Sequence, residues 1–214
     1  MSRKQASSAS ASRSSREKLL DAALCLIRTQ GYAATTVDDL CAAAGVTKGA
    51  FFHHFASKEA LAVAAADHWS GTTSALFAAA PYHRHDDPLD RVLGYLDFRK
   101  SIIAGRPSEF TCLVGAMAQE VHETYPLIRK ACEESITGHV GKVESDITEA
   151  MKKYRIRARW TAKSLALHTQ AVLQGAFVLA KAQGDAAVAK ESIDHLRRYI
   201  ESLFRGANFK GKPK

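Results

Sequence analysis

The residues of this chain whose types and spacing are best suited to recognition chemistry form one short run, TKGAFFHH over 47–54. Lys48 could bond to a guanine edge or a phosphate, and the methyl group of Ala50 could contact a thymine methyl. Gly49 and Ala50 are small, which would let a helix come close to the floor of a DNA groove. These residue types suit the recognition of nucleic acid by hydrogen bonds, charge and close contact.

Two short helices joined by a tight turn are predicted to position this run. Thr36 can cap the first helix, and Gly45 can take the positive φ that ends it. Thr47 can cap the second helix, whose buried face would carry Phe51 and Phe55. The apolar face of the first helix collects residues spaced three, four and seven apart, namely Val37, Leu40, Cys41 and Ala44.

This arrangement is typical of a helix-turn-helix, in which the N-terminal residues of the second helix lie against base edges in the major groove. Cys41 is a small residue at the point where the two helices would cross. An ordinary surface helical hairpin has the same pattern, so the spacing alone leaves both interpretations open.

The residues around this motif extend the pattern. A first helix is predicted over 15–29, with Ser14 and Glu17 as a capping box and Gly31 at its end. Residues 15–61 resemble the DNA-binding domain of the TetR/AcrR family of transcriptional regulators through the segments REKLLDAALCLIRTQGY, ATTVDDLCAAAGV, TKGAFFHHF and SKEAL. The resemblance implies a three-helix domain that binds double-stranded DNA.

The resemblance also indicates which side chains would meet the DNA. The family very often has a tyrosine at the position of Phe52, whose hydroxyl commonly contacts a phosphate. Phe52 cannot do so, which leaves packing against a sugar or filling of the core. Lys58, at the start of a helix predicted over 58–79, is expected to form a phosphate clamp with the N-terminal N–H groups, the alternative being a solvated lysine. The expected DNA contacts are Thr36, Thr47, Lys48, Gly49, Ala50, Phe52, His53, His54 and Lys58.

Composition and charge exclude several classes of protein. The 214 residues contain no run of about 18 apolar residues, so neither a membrane span nor a secretory signal is expected. The cysteines at 25, 41, 112 and 132 lack metal-ligand spacing, which predicts reduced thiols in a cytoplasmic protein. Of the net charge of +8, residues 1–58 carry +4, residues 59–204 carry none, and residues 205–214 carry +4. The positive helix-turn-helix half therefore suits a polyanionic partner.

Four segments are predicted along the chain. Residues 1–14 are a disordered basic arm, which is either a plain flexible terminus or a source of phosphate and minor-groove contacts. Residues 15–60 are the DNA-binding domain, 61–205 a helical effector-binding and dimerisation domain, and 206–214 a basic tail. Prolines mark the helix boundaries of the larger domain and predict an all-α fold. The helices are expected over 88–105, 107–122, 126–153, 158–183 and 187–205.

The last two predicted helices have apolar faces that suit pairing. In the resembled family, these two helices pair with those of a second subunit in a four-helix bundle, which implies a homodimer. Two recognition helices about 34–36 Å apart would then read the two half-sites of a palindrome. The apolar stripe of the final helix consists of Ile193, Leu196, Ile200, Leu203 and Phe204.

In the resembled family the middle helices enclose a pocket for a small effector. Candidates for lining such a pocket are the aromatic side chains of these helices and the stretch FTCLVGAMAQEVHETYP, with ordinary core packing as the alternative for each. The expected pocket residues are Trp69, Phe98, Phe110, Cys112, Met117, His122 and Phe177. No cofactor and no metal are expected.

Two features leave sharper alternatives open. Cys112 opens a CLVG segment that resembles branches of the family in which a nearby cysteine senses electrophiles or oxidants, and a helix N-terminus could lower its pKa. A buried, inert thiol is the alternative. The loop YHRHDDP, with His83, His85, Asp86 and Asp87, is either a metal site or a solvated turn bounded by prolines.

Three classes of function are weighed against these features. The sequence has no GxSxG, GxGxxG, HExxH or Walker A motif, which argues against an enzyme. The charge distribution argues against a helical interaction module that does not bind DNA. The expectation is therefore a DNA-binding repressor that a small effector releases from a palindromic operator. The alternative is a repressor of the same fold that is triggered by modification of Cys112.

Overall fold

The computed structural model of the protein describes residues 13–208, and every regular element in that range is helical. The all-α prediction is confirmed. Residues 1–12 of the arm predicted over 1–14 and residues 209–214 of the predicted tail lie outside the described residues. A 3-10 helix spans Pro81–Arg84, and the α-helices are α1 Ser15–Gln30, α2 Val37–Ala44, α3 Lys48–His54, α4 Lys58–Ala78, α5 Pro88–Ser101, α6 Pro107–Phe110, α7 Leu113–Val121, α8 Pro126–Lys153, α9 Ala162–Gln183 and α10 Ala187–Asn208.

Local capping signals delimit the helices of the N-terminal half as the sequence indicates. Ser14 and Glu17 form a capping box before α1, and Thr36 and Asp39 form another before α2. Gly45 has a φ of 64° and ends α2 in the left-handed conformation that glycine adopts without strain. Ser14, which the sequence assigned to the arm, is therefore part of the folded domain.

The single helix predicted over 107–122 is wrong, because α6 and α7 are separate helices. Thr111 and Cys112 between them have extended backbones, and the thiol of Cys112 accepts the backbone N–H of Gly115 at 3.4 Å. A short side chain that accepts a hydrogen bond from the next turn favours a helix start over a continuous helix. Cys112 is thus the N-cap of α7.

Other helix ends differ from the prediction by smaller amounts. α5 ends at Ser101, before a turn in which Gly105 has a φ of 77°. α9 begins after Thr161, whose side chain accepts the N–H of Ser164. α10 continues to Asn208, so the first three residues of the predicted tail are helical.

Two apolar clusters fill the structure, and the first crosses the predicted domain boundary at residue 60. It joins Leu19, Leu40 and Phe51 of the N-terminal helices to Met117 of α7 and Ile128 of α8, all fully buried. The helix-turn-helix half therefore shares one core with α7 and the start of α8. The boundary at residue 60, which the sequence motif predicts, therefore does not separate two hydrophobic cores.

The second cluster holds the C-terminal helices together. Its buried residues include Phe77 of α4, Tyr95 of α5, Ile147 of α8, Leu173 of α9 and Ile200 of α10. None of the helices within residues 13–208 is both long and apolar enough to cross a lipid bilayer.

Candidate nucleic-acid interface and effector cavity

The helix α3 has one buried face and one face open to solvent. The side chain of Thr47 accepts the backbone N–H of Ala50 at 3.1 Å and fixes the start of the helix. Phe51 and Phe55 are buried beneath α3, with ring centroids 5.9 Å apart. With these two rings turned inward, the rest of the run faces away from the core: Thr47, Lys48, Gly49, Phe52 and His53 are exposed, and Ala50 and His54 are half-buried.

Lys48 stands at the N-terminal end of this open face. Its ammonium lies 2.8 Å from a carboxylate oxygen of Asp38 in α2, and this hydrogen bond raises the pKa of Lys48 above its ordinary value. Both side chains are well exposed, at 61% for Lys48 and 68% for Asp38, so the pair contributes little to stability. Lys48 is charged and can exchange this partner for a phosphate or a base edge.

Phe52 does not fill the core, which excludes one of its two predicted roles. Its side chain is 56% exposed and packs edge-to-face on Phe51 with ring centroids 5.1 Å apart. An exposed aromatic ring on a recognition helix is available to a sugar or a base. Thr36 is also exposed, and its hydroxyl exchanges hydrogen bonds with Asp39 at the start of α2.

Lys58, the predicted phosphate clamp, makes its contacts in this structure within the protein. The Lys58 ammonium donates to the carbonyl oxygens of Tyr32 at 3.1 Å and Thr35 at 3.0 Å, and it lies 4.3 Å from the centroid of the Tyr32 ring. A carbonyl pair and an aromatic face satisfy the charge inside the protein. Lys58 therefore positions the segment between α1 and α2, and no sequence signal linked it to Tyr32.

Glu120 holds the same segment from the opposite side. Its carboxylate oxygens accept the backbone N–H groups of Tyr32 at 2.6 Å and Ala33 at 2.7 Å. Gly31 has a φ of 90°, and a Cβ at this position would lie 3.0 Å from a Glu120 oxygen. The end of α7 is thus fastened to the segment that leads into α2, a contact that joins residues 87 and 88 positions apart.

A cavity of about 260 Å³ lies among α4, α5, α7, α8 and α9. Trp69 and Cys112 of the predicted pocket residues line it. The rest of the wall combines charged, polar and apolar groups, among them Ser70, Thr73, Phe77, Arg99, Ser135, His139, Lys142 and Gln170. We call this space the Arg99 cavity.

A second cavity, of about 320 Å³, lies between the end of α1 and the helices α7 and α9. Phe177 lines it, and Cys112 lines it as well as the Arg99 cavity. Phe110 packs against Phe177 with ring centroids 6.0 Å apart, and Phe98 packs edge-to-face on Phe77 at 5.4 Å. Phe98 and Phe110 therefore support cavity walls from behind.

Two predicted pocket residues lie elsewhere. Met117 is fully buried in the core that α7 shares with the N-terminal half, and His122 is exposed beside Glu123 at 3.5 Å. Composition could not give the rotation of α7 about its axis, which places Leu113, Met117 and Val121 in the shared core. That rotation turns Met117 towards the core and leaves His122 in solvent.

The sequence reasoning missed Arg99 and His139. The Arg99 guanidinium carbon lies 4.9 Å from the ring centroid of Phe77 and 5.9 Å from those of Tyr95 and Phe177. The Tyr95 hydroxyl is 2.9 Å from Nε2 of His139. Burial, with the charges of Arg99 and Lys142, lowers the pKa of His139 to about 3, so His139 is neutral.

The histidine- and aspartate-rich loop has structural contacts instead of a metal site. Asp87 caps α5 and contacts the ammonium of Lys153 at 2.8 Å and the hydroxyl of Tyr154 at 2.7 Å, while Nε2 of His83 lies 3.0 Å from the carbonyl oxygen of Phe77. Across residues 13–208, no group of three or more His, Cys, Asp or Glu side chains is arranged to hold a metal ion.

Two parts of the chain match known protein families. Residues 19–65 match the bacterial regulatory proteins of the tetR family, and residues 88–196 match the tetracyclin repressor-like C-terminal domain. An uncharacterized HTH-type transcriptional regulator of Lactococcus lactis is 24% identical over 191 residues, which cover 89% of this chain and 95% of that protein.

Shorter matches concern the N-terminal part alone. The HTH-type transcriptional repressor KstR2 of Rhodococcus jostii is 48% identical over 46 residues, and the uncharacterized regulator YerO of Bacillus subtilis is 38% identical over 56 residues. The alignments cover 22% and 26% of this chain, and they span only 22% and 19% of those two proteins.

Solved structures match nearly the whole chain. A TetR transcriptional regulator of Chloroflexus aurantiacus has a TM-score of 0.77 at 29% identity, covering 87% of this chain and 94% of that one. A TetR-family regulator of Agrobacterium tumefaciens has a TM-score of 0.77 at 20% identity, covering 86% and 96%.

The fold and the open face of α3 define a helix-turn-helix transcriptional regulator, a class that acts by binding DNA and is not enzymatic. The chain belongs to the TetR family of bacterial regulators, as both family matches show.

Proposed function

We propose that this regulator is a repressor that binds a palindromic operator as a homodimer and is released when a small molecule occupies the Arg99 cavity. The observation that carries the proposal is the position of α7. Cys112 at its first turn lines the Arg99 cavity, and Glu120 at its last turn fastens the segment before α2. One short helix therefore touches both the cavity and the support of the recognition motif.

Release by the effector follows from linkage between two states. A molecule in the Arg99 cavity can weaken DNA binding only as far as it prefers a state in which α3 is wrongly placed for the groove. A displacement of α7 would pull on Tyr32 and Ala33 through Glu120, while Lys58 resists from α4. Under this proposal the segment between α1 and α2, which both contacts hold, carries the displacement to α2.

The exposed surface of α9 and α10 supports the dimer. Large apolar side chains on these two neighbouring helices are 45–48% exposed, which leaves apolar surface for a second subunit to cover. Pairing with the same helices of a second copy would bury them and would present two α3 helices to one duplex. The exposed residues are Leu167, Val178, Leu179 and Tyr199. Because its partner is chromosomal DNA, we place the protein in the cytoplasm.

The test is a binding measurement on the full chain with the DNA upstream of its own gene. We expect a mobility shift at low salt that weakens as salt rises, because phosphate contacts release counterions. A pseudo-palindromic site should emerge from footprinting, and protein in solution should sediment as a dimer. A dimer that binds every duplex with equal affinity, or none at low salt, would overturn the proposal.

A second trigger is supported by the position of Cys112. Its thiol is half-buried, caps α7, and lines both cavities. Burial raises the pKa of the neighbouring Cys132 to about 12, which leaves that thiol unreactive. Addition of the Cys112 thiol across an activated carbon–carbon double bond would form a sulfur–carbon bond as the π bond breaks, and the other carbon would take up the thiol proton. The resulting thioether would occupy cavity space as a bound effector does.

The Cys112→Ser protein separates the two triggers. If modification is the signal, an electrophile releases the wild type from DNA and leaves Cys112→Ser bound, while Cys25→Ser, which alters an exposed thiol, responds as the wild type does. Release of Cys112→Ser by the same treatment would eliminate this trigger.

A further inference from the structure

We propose that the effector is a small organic acid whose carboxylate pairs with Arg99 and whose apolar part packs against the aromatic wall of the Arg99 cavity. The inference rests on the proposed function only in taking this cavity as the effector site. It names a chemical class of ligand from the contacts of the cavity wall.

The first step concerns the hydrogen-bonding groups of Arg99. Its Nε donates to the Tyr95 hydroxyl at 3.3 Å. Among residues 13–208, the Arg99 guanidinium makes no other hydrogen bond. No carboxylate of the described chain lies within 4.0 Å of the guanidinium, in contrast to Arg91, which pairs with Asp146 and Glu149. The two terminal NH₂ groups of Arg99 thus form an open fork of the shape that binds a carboxylate bidentately.

The second step concerns the surroundings of that fork. Phe77, Tyr95 and Phe177 flank the guanidinium within 6 Å of their ring centroids, so Arg99 is held by aromatic faces on several sides. Arg99 is half-buried, and a charge-assisted hydrogen bond in such a partly desolvated position is stronger than at the open surface. Of the aromatic residues, Phe77 and Trp69 line the cavity itself and offer an apolar wall to the body of a ligand.

The third step concerns the other polar and charged groups of the cavity. Gln170 is only 7% exposed and lines the cavity, and its amide makes no hydrogen bond to any described residue. Lys142 donates to Ser74 at 2.9 Å, and His139 is neutral. The acidic side chains of the lining, Asp67 and Glu134, belong to exposed residues at the rim. The interior of the cavity therefore offers a cation and the Gln170 amide, and the acids lie at the rim.

The volume limits the size of the acid. At about 30 Å³ for each water-sized group, a cavity of about 260 Å³ holds on the order of ten non-hydrogen atoms. An adjoining space of about 150 Å³ shares Phe77, His139 and Lys142 with it and is otherwise lined largely by apolar residues. A monocarboxylic acid with a short alkyl or phenyl-alkyl body fits these limits.

The experiment compares acids with their uncharged amides by calorimetric titration of the full chain at neutral pH. The probes are octanoate and 3-phenylpropionate, with octanamide and 3-phenylpropionamide as neutral partners of the same shape. We expect each acid to bind the wild type at least about tenfold more tightly than its amide. Equal affinities, or no binding of either acid at about 1 mM, would overturn the inference.

Three variants assign the preference to Arg99. Arg99→Met should abolish the difference between acid and amide, and Arg99→Lys, which keeps the charge but not the fork, should reduce it. Arg129→Met, which alters an exposed arginine of α8 outside the cavity lining, should retain it. If circular dichroism shows that Arg99→Met is unfolded, the test is the acid-to-amide affinity ratio of Arg99→Lys compared with that of the wild type. An unchanged preference in either Arg99 variant would contradict the inference.

DNA binding measured in parallel separates this inference from the proposed function. If the acids bind but the protein ignores all duplexes, the repressor proposal fails and the ligand class stands. If DNA is bound and released only by neutral compounds, the ligand class fails and the repressor proposal stands.

Discussion

The α3 surface and the Arg99 cavity differ in how the chain supplies their residues. The α3 surface, by which we mean the open face of α3 and its surroundings, comes from residues 36–58. Each cap and turn in this segment is set by neighbours a few positions away. The cavity draws its lining from α4, α5, α7, α8 and α9, which meet only in the folded protein. The first site can therefore be read from local sequence, whereas the second depends on how five helices rotate and pack.

The largest expected effect tests whether α3, whose ends are set by local sequence, also depends on the core beneath it. Phe51→Ala removes a fully buried ring beneath α3 and should lower the free energy of unfolding by about 3–5 kcal/mol. Phe52→Ala, one residue further on and 56% exposed, should change it by less than about 1 kcal/mol. Denaturant unfolding of both variants measures the contrast, and equal losses would mean that α3 does not lie as described.

A second substitution tests the contact that joins the two sites. Glu120→Ala removes the acceptor of two backbone N–H groups and should lower the free energy of unfolding by about 1–3 kcal/mol. It should also raise the effector concentration needed to release DNA, because α7 loses its hold on the segment before α2. The control is Glu123→Ala, whose carboxylate is exposed beside His122. If Glu120→Ala and Glu123→Ala release DNA at the same effector concentration, coupling does not pass through Glu120.

A third substitution bears on the α3 surface alone. Lys48→Ala should leave folding intact, because its pair with Asp38 is exposed. If Lys48 reads a base, DNA binding should weaken by about 1–3 kcal/mol in a sequence-dependent way; if it contacts a phosphate, the salt slope should fall by about one. Lys152→Ala, on the exposed side of α8, is the control for charge. If neither the DNA affinity nor its salt slope changes in Lys48→Ala, Lys48 is not part of the interface.

The smallest expected effect concerns the cap of α2. Hydrogen bonds from the backbone N–H and the hydroxyl of Thr36 lower the pKa of Asp39, so the folded state binds fewer protons than the unfolded state. The stabilisation is therefore present above the unfolded pKa of about 4 and is lost as the pH falls through the folded value. The difference in stability between the wild type and Asp39→Asn should be largest near neutral pH and should shrink as the pH falls through the folded pKa of Asp39. A difference independent of pH would mean that the charge of Asp39 plays no part.

Sequence reasoning succeeded where a short segment determines its own conformation. The caps at Ser14, Thr36 and Thr47 and the turn at Gly45 depend on side chains within three residues, so they could be predicted together with the helix-turn-helix. The all-α fold followed from the helix periods and the prolines. The same reasoning joined α6 and α7 into one helix, because a cysteine is an uncommon cap.

The cavity and the internal role of Lys58 could not be predicted, because each depends on residues far apart in the chain. Met117 and Trp69 are both apolar members of central helices, and only the rotation of each helix sends one to the core and the other to the cavity. Arg99 looks like an ordinary solvated cation in the sequence, and its aromatic neighbours come from α4, α5 and α9.

The continuous core beneath the helix-turn-helix limits how such a regulator can be recombined. A hybrid made by grafting residues 1–60 onto the body of another regulator would set Leu19, Leu40 and Phe51 against foreign side chains in place of Met117 and Ile128. The seam would also lose the matched pair of Gly31 and Glu120. A hybrid that transfers α7 and the first turns of α8 together with the helix-turn-helix keeps the shared core intact. The unit that can be exchanged between regulators is therefore encoded by two separate segments of the gene.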